Sequence, residues 1–238
     1  MTRRLPHGPA EELVFCPLGG VGEIGMNFSL YGFGSPAKKD WIAVDCGVAF
    51  AGPDLPGIDL IMPDPRYIAE QSKRLRALII THAHEDHIGA VADLWPRLGC
   101  PVYLTPFAAA MLEAKRLSEA GAPKMPITII RPGQRIDLGP FSVEMIAVAH
   151  SIPESTSLAI RTPLGLVVHT GDWKIDPTPV LGDVTDEARF RALGDEGVLA
   201  MIGDSTNAIR EGISPSEREV ATELEKIIRA AKGRVAVT

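Results

Sequence analysis

The chain of 238 residues carries 24 basic and 30 acidic side chains, a formal charge of −6, and 45% hydrophobic residues. That is enough chain to bury a substantial core. No apolar run approaches the roughly 18 residues a membrane span needs, and the first nine residues lack the apolar centre of a signal peptide, so no membrane partner and a cytoplasmic location are expected. The negative balance argues against a self-sufficient RNA-binding module that works through phosphate contacts alone. It leaves room for metal-dependent chemistry, because bound ions carry local positive charge and need carboxylates around them. Cys16, Cys46 and Cys100 are odd in number, scattered and set among apolar residues. They read as small core thiols in a reducing compartment, not as metal ligands.

In chain order, alternating or continuous apolar runs predict strands over 13–17, 26–33, 41–45, 75–80, 102–104, 127–130, 141–149, 157–161, 166–170 and 198–202. Helical spacing predicts helices over 88–98, 106–120, 187–193 and 217–231. Between the first two strands, Gly20-x-Gly22-x-x-Gly25 with Asp45 about twenty residues on mimics a dinucleotide-binding fingerprint. That fingerprint requires a helix next, and 26–33 reads as a strand instead, so the glycines are expected to make a tight turn with positive φ angles. The Pro/Gly-rich stretch 51–65 is taken as a long loop near the functional end of the molecule.

The run Thr81-His82-Ala83-His84-Glu85-Asp86-His87 follows the strand at 75–80 and holds half of the chain's six histidines. His82 and His84, two apart on an extended turn, can point the same way and grip one ion. Asp86 and His87 fall where the helix at 88–98 begins and face a neighbouring point. Imidazole and carboxylate together suit zinc. Further on, strands end in His150-Ser151-Ile152-Pro153 and in Gly171-Asp172. Taken alone, His150 reads as a core or loop histidine. Near the end, Ser214-Pro215-Ser216-Glu217 reads as a capped start to an amphipathic helix with Val220, Leu224 and Ile227 on one face. The residues from 234 to 238 read as the opening of a strand.

The pattern His-x-His-x-Asp-His, with a later isolated His and Asp at strand ends, resembles the metallo-β-lactamase superfamily. Three further stretches, Leu18-Gly19-Gly20-Val21-Gly22-Glu23-Ile24-Gly25-Met26-Asn27, Val168-His169-Thr170-Gly171-Asp172-Trp173-Lys174 and Gly203-Asp204-Ser205-Thr206-Asn207-Ala208, narrow the likeness. With Ser214-Pro215-Ser216-Glu217 beyond them, they resemble the ribonuclease J family, a bacterial and archaeal branch of the β-CASP nucleases. The resemblance runs from about Val14 to the last residue.

What it implies is an α/β chain with the αββα sandwich of that superfamily, truncated at the start of an inserted β-CASP domain. The expected parts are an extension at 1–12, the lactamase domain at 13–210 and the start of the insert at 211–238, with the returning segment and its last metal-ligating histidine missing. His82, His84 and His150 would hold one ion, Asp86 and His87 a second, and Asp172 would bridge them. Asp45 resembles a motif that supports the histidine loop, and Asp204 one that orients a ligand; His169 is taken as structural. Two divalent ions are implied, zinc first, with manganese or magnesium as alternatives. The implied reaction is hydrolysis of RNA, by 5′-to-3′ trimming or internal cleavage, in RNA processing and decay, by a full-length homo-oligomer. The rival readings are a small-molecule hydrolase of the same superfamily, such as a thioesterase or lactonase, and an inactive metal-binding fragment.

Overall fold

The computed structural model describes residues 10–118 and 121–237. Most of the expected N-terminal extension, the last two residues of the helix expected at 106–120, and Thr238 lie outside the described residues. In chain order the strands are β1 (Glu12–Gly19), β2 (Phe28–Ser35), β3 (Lys38–Val44), β4 (Ala49–Phe50), β5 (Leu60–Ile61), β6 (Leu75–Ile79), β7 (Val102–Leu104), β8 (Ile127–Ile129), β9 (Arg135–Leu138), β10 (Phe141–Ala147), β11 (Thr156–Thr162), β12 (Gly165–His169) and β13 (Val198–Ile202). The helices are α1 (Arg66–Ala69), α2 (Glu85–Ile88), α3 (Val91–Leu98), α4 (Pro106–Ser118), α5 (Glu187–Glu196) and α6 (Glu217–Ala230). None of them is long and apolar enough to cross a membrane.

One sheet has the order β1-β2-β3-β6-β7-β8, antiparallel through β3 and parallel beyond it. The other has the order β13-β12-β11-β10-β9, antiparallel except for the parallel β12–β13 pair. Strands β3 and β6 read as near-continuous apolar runs because both of their faces are covered. Ile42, Val44, Ala77 and Ile79 face the second sheet and pack with Val143, Met145, Leu158 and Ile160. Trp41, Ala43 and Leu78 face outward under Ile68, Leu94, Leu98 and Leu112 of α1, α3 and α4. The outer face of the second sheet is covered more thinly, by α5 through Leu193 and Phe190. Helices outside two packed sheets give the αββα arrangement that the sequence implied.

Three expectations are corrected. The helix expected at 88–98 is broken into α2 and α3, because the segment after β3 takes over the hydrogen bonds that would have continued it. Cys46 N donates to His87 O at 2.7 Å, Val48 N to Glu85 O at 3.0 Å, and Ala90 N to Cys46 O at 3.0 Å. A strand the sequence reading lacked, β9, pairs with β10 across a two-residue turn in which Gly139 takes a positive φ of 68°. Residues 234–237 form no strand: among the described residues no strand pairs with the segment.

Glu144 on β10 locks α5 to the sheet. Its carboxylate accepts from Arg189 of α5 at 2.6 and 2.8 Å, from Arg161 of β11 at 2.9 Å and from Arg135 of β9 at 3.1 Å. The Arg189 guanidinium first, with Arg135 and Arg161, outweighs burial and holds this carboxyl down to about 2. A carboxylate depressed in the folded state stabilises above its unfolded pKa of about 4.3, and that stability is lost as pH falls toward 2. Glu144→Gln is therefore expected to cost about 1.5–3 kcal/mol near pH 7. Thermal unfolding across pH checks this: the gap between parent and variant should be constant above about pH 5 and close as the solution is acidified.

Candidate metal centre

The centre is built where strands end. Asp45 follows β3 with its backbone in the left-handed region at φ 61°, and the residue is 1% exposed. Its carboxylate accepts from Thr81 N at 2.8 Å and from Thr81 Oγ1 at 2.9 Å, which fixes the second residue after the end of β6. His87 Nδ1 donates to Oδ2 of the same carboxylate at 2.8 Å, leaving Nε2 aimed at the cluster. Thr81 Oγ1 also lies 3.0 Å from His82 Nδ1, so the ring nitrogens away from the cluster are engaged on two of the three histidines of this loop.

The residues expected to be ligands come together from three segments, the run 82–87, His150 and Asp172. His84 Nδ1 lies 3.1 Å from both His82 Nε2 and His150 Nε2. Two nitrogens bound at about 2.0–2.1 Å to one tetrahedral ion would be about 3.3 Å apart, so the spacing of this triad fits such an ion. His82, His87 and Asp172 form a second convergent group that shares the first histidine. Asp172 stands between the two: its Oδ1 is 3.3 Å from His87 Nε2 and its Oδ2 is 3.6 Å from His150 Nε2. It can do so because Gly171, at φ 54°, turns the chain where a Cβ would press on Thr81 and on the Thr156 carbonyl. Asp86 Oδ2 completes the rim, 3.5 Å from His87 Nε2.

Burial keeps the triad uncharged. Desolvation pushes His82 well below the usual histidine range and lowers His84 and His150 as well. Neutral imidazoles carry a free lone pair for a metal. For His87, burial acts in the same direction, but Asp45 and then Asp172 outweigh it and push the group up to about 10. Asp172 is itself lowered: burial would raise it, and His87 overcomes that.

Two residues sit apart from this geometry. Asp204 was expected to orient a ligand. Its Oδ1 accepts from Thr206 N at 2.8 Å, and among the described residues it makes no hydrogen bond to the histidines. His169 lies within 2.8 Å of Tyr31 Oη through Nδ1, away from the triad. Both line a cleft of about 440 Å³ beside Asp86 and Asp172, walled on the far side by the glycine loop at 20–25. Gly20, Gly22 and Gly25 of that loop have the positive φ angles expected of a turn. Sequence reasoning did not foresee Asn27 or Thr81. Thr81 was visible only as the residue preceding the histidines, and Asn27 lies 59 residues from the Asp86 it touches.

Residues 40–192 match the family model described as the beta-lactamase superfamily domain. The chain belongs to that superfamily, and a group of histidine and aspartate side chains at the ends of its strands makes it a divalent metal-binding member. Within the superfamily it is ribonuclease J-like. It is 64% identical to ribonuclease J of Sinorhizobium meliloti over 96% of this chain, and 40% identical to ribonuclease J of Thermus thermophilus over 97% of it. The chain spans about 40% of the length of those two curated relatives. A crystal structure of a protein of unknown function from Enterococcus faecalis shares the fold, at a TM-score of 0.64 and 20% identity over 92% of this chain and 58% of that one.

His84 stands at the centre of the triad, so His84→Ala should abolish metal retention there, whereas Asp45→Asn should weaken metal binding by about 10–100-fold through the residues it orients. Chelator-competition titrations of the two variants check the contrast. The second group should also show a proton linkage that the triad lacks. With His87 protonated below about 10, an ion there competes with a proton, and its affinity should rise about tenfold per pH unit across the neutral range. Calorimetry in buffers of different ionisation heat would register the released proton.

Proposed function

We propose that the chain carries the metal centre of a ribonuclease that hydrolyses RNA phosphodiester bonds, by 5′-to-3′ trimming, internal cleavage or both, in cytoplasmic RNA processing and decay. The observation that carries this reading is the convergence of His82, His84 and His150 with His87 and Asp172 beside an open cleft, in a chain 64% identical over 96% of its length to a protein named ribonuclease J. Two ions, zinc by the imidazole-rich donor set, are held in this proposal by His82, His84 and His150 on one side and by Asp86 and His87 on the other, with Asp172 shared. Residues 211–238 are read as the opening of a further domain that helps to hold RNA.

Bound divalent ions supply Lewis acidity for attack of water on phosphorus and stabilise charge on the attacking and leaving oxygens. The chain's own residues do the rest. Asp45 fixes the ring of His87 and the start of the histidine loop, so that the donors need not reorganise when substrate arrives. Asp172, held between His87 and His150, fixes the relative position of the two groups. The cleft beside them has a mixed polar and apolar lining and, at about 440 Å³, room for a nucleotide-sized group.

A small-molecule esterase of the same superfamily is the competing reading, and one experiment separates the two. This chain fused to the remaining portion of the Sinorhizobium meliloti relative is expected to cleave single-stranded RNA, to lose that activity with a chelator, and to turn over thioesters and lactones little. This chain alone, with a net charge of −6, is expected to bind RNA weakly. Efficient thioester or lactone hydrolysis by the fusion, with RNA left intact, would overturn the ribonuclease reading.

A further inference from the structure

Each histidine of the loop that has a fixed orientation owes it to a hydrogen bond with a specific partner, and the same requirement applies to Asp86. Its side chain is about one-third exposed at the start of α2, a helix of a single turn. Packing alone leaves such a carboxylate free to rotate. Repulsion from the nearby Asp172 carboxylate favours its turning outward when no cation lies between them.

Asn27 meets that requirement. Its main chain is pinned on both sides, with its N–H donating to Asp86 O at 3.0 Å and its carbonyl accepting from Gly47 N at 3.0 Å. Its Nδ2 donates to Asp86 O at 3.1 Å and to Asp86 Oδ2 at 3.3 Å, and lies 3.1 Å from His87 Nε2. Among the described residues this amide gives the only hydrogen bond found to the Asp86 carboxylate. The approach is tight: a Cβ on Gly47 would collide with the Asp86 carbonyl, and one on Gly20 would collide with Asn27 Oδ1. A neutral amide is also suited to the place. It supplies donors to a carboxylate without adding a third negative charge beside Asp86 and Asp172.

We infer that Asn27 is the positioning residue for the Asp86–His87 half of the metal centre, holding the Asp86 carboxylate where a divalent ion can use it. The inference rests on the proposed assignment of Asp86 and His87 as ligands. Removing Asn27 should therefore weaken one ion selectively, whereas general damage to the fold would weaken both.

The test is zinc titration against a competing chelator for this chain and for Asn27→Ala and Asp86→Ala. Asn27→Ala is expected to lower the affinity of one ion, the one that Asp86→Ala also weakens, by about 10–100-fold and leave the other within about threefold. Equal weakening of both ions, or none, would overturn the role of Asn27. If Asp86→Ala also leaves both ions unchanged, the ligand assignment has failed and not only this refinement. A second measurement needs no variant. The side-chain amide resonances of Asn27 should move on the same zinc equivalent that moves the main-chain amide of Asp86. Movement of Asp86 without Asn27 counts against the inference even where Asn27→Ala does not fold.

Discussion

The Asp45 carboxylate is the constraint on which the centre depends. It is a charge taken almost wholly out of water, and such a group is tolerated only when its oxygens are fully occupied. Thr81 and His87 occupy them. Three segments are thereby fixed to one point: the end of β3, the exit from β6 and the single turn of α2. Each donor left behind by loss of the carboxylate would be buried and unpaired, a cost of about 1–3 kcal/mol apiece. The same charge shapes its surroundings. Burial first, with Asp45 adding to it, pushes the Cys46 thiol and the Tyr31 phenol up, so both stay protonated. A buried protonated thiol is an inert one, in keeping with the reading of Cys46 as a core residue.

The sandwich explains why ligands so distant in sequence meet. Asp45, the histidine run, His150 and Asp172 all follow the C-terminal ends of strands, β3, β6, β10 and β12 respectively. The apolar layer between the sheets fixes those ends relative to one another. The polar segments beyond them are then free to carry chemistry at the rim. Packing within the layer leaves little room for the sheets to slide, so donor spacing is set by the core and not by the loops themselves.

How legible this was in the sequence follows from how local each signal is. The three histidines of the loop lie within one turn of chain, and their chemistry shows in their spacing. The strands of the two sheets, the short β9 apart, were visible because the core imposes a period or a continuous apolar run on them. The break between α2 and α3 was not visible. It arises from hydrogen bonds to residues 46–48, about forty positions earlier, and helical spacing cannot report a carbonyl captured by a distant segment. The same holds for Asn27, which sits in a motif read for its glycines. Residues 234–237 show the converse error: a β-prone composition makes a strand only where a partner strand is present.

The segment after β12 joins the centre to the last helix. Asp172 is followed two residues later by Lys174, whose N–H donates to Ala149 O at 2.9 Å, beside His150. The Lys174 ammonium reaches Glu217 at 2.6 Å, and Asp176 Oδ2 accepts from Glu217 N at 2.9 Å. The base of α6 is therefore tied to the stretch that carries Asp172, and a capping box between Ser216 and Glu219 closes the helix start. Beyond that base, Val220, Leu224 and Ile227 form an apolar stripe that is partly exposed, and no residue of the helix is buried. Polar contacts at one end therefore set where α6 begins, while little packing restrains its far end.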